Sequence, residues 1–125
     1  MTNAAELLKQ GDEVFRARDY ARATELFQQA AEAADPEKEP ETLDEALAQA
    51  ARGYLIRDLK DQGRTWLDRA AARAQENRPL GWSRYLGVRG RFEWKEGDLP
   101  RATRTFTAMY EYCMRQGPHA RAIDA

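Results

Sequence analysis

The feature that most constrains this chain is a recurrence of small and large residues at a spacing of 39 to 40. Ala51 stands 39 residues before Gly90, and Gly11 a further 40 before that. The same two steps connect Ala102 to Gly63 and Ala23, Phe106 to Leu67 and Phe27, and Met109 to Ala70 and Ala30. Leu86 leads in the same way to Leu47 and Leu7, and Trp94 to Leu55 and Phe15. Five of these six columns thus keep their small or large character through three copies, and the Met109 column stays apolar. A unit that recurs in register cannot bury its apolar face alone and does so by stacking on the next copy.

The third copy shows the unit most clearly. Residues 90–110, GRFEWKEGDLPRATRTFTAMY, read as helix, tight turn, helix. Gly90 and Ala102 are small where two antiparallel helices cross, and Phe106 and Met109, three residues apart on one face, fill the space beside the crossing. Gly97 accepts the left-handed conformation that ends a helix, Asp98 caps the next one, and Pro100 suits a first turn whose amide needs no partner. These residues resemble a tetratricopeptide repeat.

The whole chain divides accordingly into six helices. Asn3, with Glu6 three residues on, opens the first, and Asp19 opens a second that Asp35-Pro36 stops. The polar, proline-broken DPEKEP of residues 35–40 is an inter-repeat loop, and it lengthens the period beyond the usual ~34 residues of the resembled family. Thr42 with Glu45 reads as a capping box for the third helix. In the middle copy Leu59 falls one position early at the turn and Gly63 replaces alanine. Asn77 to Pro79 breaks the chain before the fifth helix, and Gln116-Gly117-Pro118 ends the sixth. The expected fold is all-α, with three antiparallel helix-turn-helix hairpins in one domain (repeats at about 4–37, 44–77 and 83–116). Residues 118–125 form a tail or a partial capping helix.

The resemblance implies a right-handed superhelix whose first helices line a concave groove that binds another protein. On the family pattern the groove positions are Leu8, Asp12, Phe15 and Arg16, then Glu45, Gln49, Arg52 and Ile56, then Arg84, Val88, Arg91 and Lys95, with Trp94 at the edge. Family members that grip a peptide's terminal carboxylate use a Lys and Asn clamp. This chain has Leu8 and Asp12 where the first copy's pair would stand. Arg52, Arg84 and Arg91 projecting into one groove could make charge-assisted bonds to an acidic peptide segment, with Gln49 reading its backbone. The alternative is a solvated helix face whose arginines pair with neighbouring acids.

Charge and composition narrow the remaining classes. Of the 125 residues 33% are charged, and the net charge is −1. Residues 1–77 carry 11 basic and 16 acidic side chains and residues 78–125 carry 9 and 5, so the molecule is electrically polar from end to end. This balance weighs against a nucleic-acid partner, although Trp82 and Tyr85 beside Arg78 and Arg84 could stack on single strands. No apolar run approaches the ~20 residues of a membrane span, and the start lacks the basic and apolar regions of a signal peptide. The single Cys113 suits a reducing cytoplasm. It reads as a buried small hydrophobe, as Trp66, Trp94 and Tyr54 read as core.

His119 is the only histidine and has no evident base or metal partner. Asp12-Glu13 and Asp44-Glu45 are adjacent and point apart on a helix. No phosphate loop or zinc spacing is present. The expectation is therefore a protein-binding adaptor with no catalytic, cofactor or metal site. A homodimer through Phe106, Met109, Tyr110, Cys113 and Met114 on the sixth helix is the second possibility, because a stack must cover its last helix.

Overall fold

A computed structural model describes residues 3–116, and within them every regular element is helical. The six helices are α1 (Ala4–Arg16), α2 (Tyr20–Ala33), α3 (Pro40–Ile56), α4 (Lys60–Arg73), α5 (Pro79–Lys95) and α6 (Leu99–Gln116). They pack consecutively as three hairpins, as the recurrence requires. The tail of residues 118–125 lies outside the described residues. None of the described helices is long and apolar enough to cross a membrane.

The three hairpin turns are one structure repeated. Arg18, Asp58 and Gly97, spaced by 40 and 39 residues, all have left-handed backbones with φ of 68°, 62° and 84°. Their N–H groups donate to the carbonyls of Phe15, Leu55 and Trp94 at 2.9, 2.9 and 3.0 Å. The following amides, of Asp19, Leu59 and Asp98, donate five residues back to Val14, Tyr54 and Glu93. This pair of bonds satisfies the last carbonyls of each first helix and fixes the angle at which the chain turns. Asp19 and Asp98 then accept from the amides of Arg22 and Arg101, both at 3.2 Å. The register at Leu59 is therefore not shifted: leucine occupies the capping position itself and leaves α4 without a side-chain cap.

Small residues set how closely the helices approach. A Cβ on Gly11 would lie 2.6 and 2.7 Å from ring carbons of Phe27, and one on Gly90 would lie 2.7 and 2.8 Å from the Phe106 ring. The first and third hairpins thus use the same glycine-on-phenylalanine crossing. In the second, Gly63 receives a ring from outside the hairpin, since its Cβ would lie 2.9 Å from Cζ of Phe92 on α5. The apparent weakness of the middle copy is where the third hairpin docks.

Helix α3 is the centre, in contact with α1, α2, α4 and α5. Residues 43–51 are buried without interruption, and four of these nine are alanine. Three of them are polar, and Asp44 shows how such a group is accommodated. It is 3% exposed and receives Arg73 Nε at 3.1 Å and Arg78 Nε at 2.5 Å. Arg78 also donates to the Arg73 carbonyl at 2.6 Å. One carboxylate therefore joins the start of α3, the end of α4 and the loop into α5.

The capping box expected at Thr42 and Glu45 does not form. Helix α3 begins two residues earlier, with Pro40 in its first turn and no side-chain cap on Glu39. Proline's fixed φ starts the helix, and α5 begins identically at Pro79. Glu41 caps across helices instead, accepting the Leu80 N–H at 3.2 Å.

Two predictions follow from these contacts. Gly97→Ala should lower stability by about 1 kcal/mol, since a side chain is strained at that φ, whereas Asp58→Gly should raise it by about 0.5 kcal/mol. Asp44→Ala should cost about 3 kcal/mol by leaving two arginines without their buried acceptor. Urea denaturation monitored by circular dichroism reads both.

Candidate functional site

The first helices of the hairpins, α1, α3 and α5, bring Asp12, Arg52 and Arg91 to equivalent positions on one face. Asp12 Oδ1 accepts from Gln49 Nε2 at 3.1 Å, which ties α1 to α3. The Arg52 guanidinium lies 4.5 Å over the Phe15 ring, so its position is set by a cation–π contact. Arg52, Arg84 and Arg91 line one hollow of about 30 Å³ between α3 and α5. It adjoins a cleft of about 250 Å³ walled by Arg52, Arg91 and Lys95 and by the apolar Leu55, Ile56, Trp94 and Phe106.

The charges in this hollow disfavour one another. Burial first, then the charges of Arg91 and Arg84, push the Arg52 guanidinium down to about 10, with Asp12 and Tyr20 acting in the opposite direction. Arg91 is lowered as well, by burial and by Arg84. Arg52 stays charged at neutral pH, so with the two neighbouring arginines the hollow is a concentration of positive charge. The Nε–H of Arg52 is enclosed and has no acceptor in the protein.

Of the residues expected in the groove, Arg52, Arg84, Arg91 and Lys95 are thus brought together, with Asp12, Phe15 and Gln49 supporting Arg52. Lys95 also approaches Asp58 at 3.9 Å. Arg16 is exposed and shares a separate surface hollow with Leu8 and Asp12. Glu45 is buried in α3 and engaged within the fold. Val88 forms part of the buried wall.

Three placements differ from the sequence reading. Trp94 is 62% exposed at the cleft rather than in the core, because it lies at the end of α5 where none of the described helices covers it. Phe106 and Met109 face Gly90 and Gly87 inside the third hairpin and floor the cleft and the hollow. Cys113 is buried as expected, and only Tyr110 and Met114 of the five proposed dimer residues are well exposed. A tyrosine and a methionine one helical turn apart are what remains of that face.

The rings near Arg78 are not a free stacking platform either. Trp82 packs on Tyr85 and Tyr112, with centroids 5.8 and 6.4 Å apart, while Arg78 is held by Asp44. Trp66 and Tyr54 are partly buried, Trp66 packing on the core and the Tyr54 hydroxyl accepting from Gln28 Nε2 at 2.5 Å.

The chain matches no protein-family model, no curated protein and no solved structure. The site is therefore interpreted from its own geometry.

If repulsion dominates the hollow, removing one charge should not weaken the fold. Arg91→Gln is expected to melt at the wild-type temperature or a few degrees above it in low salt, with the gain shrinking as salt is added. A fall of more than about 5 °C would identify Arg91 as a structural partner instead.

Proposed function

We propose that the chain is a non-catalytic interaction module, similar to tetratricopeptide-repeat proteins, that holds an acidic segment of a partner protein in the cleft between its second and third hairpins. The observation that carries this reading is that Arg52, Arg84 and Arg91 line one hollow, where the charges of Arg91 and Arg84 act against that of Arg52. A cluster of like charges is complemented by an anionic ligand that neutralises it.

The adjoining apolar cleft supports a peptide rather than a free ion. Ile56 and Trp94 are exposed large hydrophobics beside the arginines, and a bound segment would cover them while its acidic groups meet the guanidiniums. The lining groups also favour binding over catalysis. They are cationic or apolar except Ser83, whose hydroxyl donates to the Leu80 carbonyl at 3.2 Å.

The test is a peptide array of random acidic segments probed with the full chain, with sequence-scrambled basic peptides as the control. Retention of acidic peptides is expected to fall at least about tenfold in Arg52→Ala and in Arg91→Ala, and to weaken steadily with salt. Equal retention by the double variant would refute the reading.

A further inference from the structure

Resting on that reading, we infer that the group received between Arg52, Arg84 and Arg91 is a phosphoryl group on a partner's side chain rather than a carboxylate. The size of the hollow points this way. Its volume of about 30 Å³ corresponds to about two water molecules, which suits a compact tetrahedral anion. An apolar or aromatic side chain has its own place in the neighbouring cleft of about 250 Å³.

Charge and hydrogen-bond geometry agree. The side chains of Arg52, Arg84 and Arg91 line the hollow, and at Arg52 burial and the charges of Arg91 and Arg84 outweigh the opposing influence of Asp12 and Tyr20. Asp12 is itself held by Gln49. A carboxylate brings one negative charge and two oxygens, enough for one guanidinium fork. A phosphate monoester brings about −1.5 to −2 charges and three acceptor oxygens, one for each arginine. Beside the hollow, Trp94 and Ile56 offer a surface for the residue that neighbours the modified one in the partner chain.

Two measurements on the full chain test this. Inorganic phosphate and acetate are titrated separately while the arginine Nε–Hε resonances are followed by NMR. Three peptide pools with randomised flanks, carrying serine, aspartate or phosphoserine at the centre, are then compared for retention. Phosphate is expected to shift the Arg52, Arg84 and Arg91 resonances at a concentration at least about tenfold below acetate, and the phosphoserine pool to be retained at least about tenfold over the aspartate pool.

Arg91→Gln should abolish both preferences. Arg84→Lys, which keeps the charge and removes the fork, should reduce them while circular dichroism shows the helices intact. Equal binding of the aspartate and phosphoserine pools would overturn the inference and leave acidic-segment binding standing. Phosphate binding without retention of the phosphoserine pool would overturn the assignment to a partner's side chain. Retention of no pool would remove both readings.

Discussion

Nine successive side chains of α3 are shut away from solvent, and the rest of the molecule depends on that enclosure. A helix can be covered on nearly every side only if its neighbours come close, which Ala46, Ala48, Ala50 and Ala51 allow. Gly53 does the same where α3 meets Thr24 of α2. Such close packing gains dispersion contacts over the whole helix length. It also imposes a demand, because Asp44, Glu45 and Gln49 are enclosed along with the alanines and each must find a partner. Asp44 finds Arg73 and Arg78, and Gln49 finds Asp12. The buried polar groups of α3 therefore tie the first hairpin and the α4–α5 loop to the centre.

The candidate site sits one turn beyond those bonds. Arg52 follows Gln49 on the same face, supported from below by Phe15 and facing Arg84 and Arg91 across the α3–α5 contact. Elsewhere the molecule pairs its arginines with acids. Glu93 receives Arg101 at 3.0 Å and the Thr105 hydroxyl at 2.5 Å where α5 meets α6, and Arg64 pairs with Glu96. At the hollow the fold instead holds three cations together, and packing of α3 on α5 supplies the free energy that their repulsion opposes. Preorganised charge of this kind is what an anionic ligand meets without further rearrangement.

Much of this was legible in the residues. The columns at 39 and 40 located the hairpins because packing at a helix crossing is a short-range demand, met by a small residue wherever the crossing recurs. Gly97 marked its turn for the same reason. Arg18 and Asp58 did not mark theirs, since neither residue type announces a left-handed backbone, and their equivalence is visible only in the hydrogen bonds. What could not be seen was long-range. Asp44 looked like an exposed helical acid until Arg73 and Arg78, 29 and 34 residues later, closed over it. Gly63 looked like a defect until Phe92 filled it. Trp94 shares a column with the buried Leu55 and is exposed because the third hairpin has no fourth beside it among the described residues. Arg52, Arg84 and Arg91 were read as sharing a face, and they line one hollow, while Arg16 lies apart. The mutual repulsion of those three was not read, because sequence shows which residues share a face but not how deeply they are buried or which acids reach them.

Native-state hydrogen exchange measured residue by residue tests the central role of α3 most directly. Amides of residues 44–51 should exchange only through global unfolding, with an opening free energy equal to that from denaturant titration and higher than in α1 or α6. Exchange of those amides through a cheaper local opening, with α2 or α6 better protected, would contradict the account. The hairpins would then be held together by something other than the enclosed central helix.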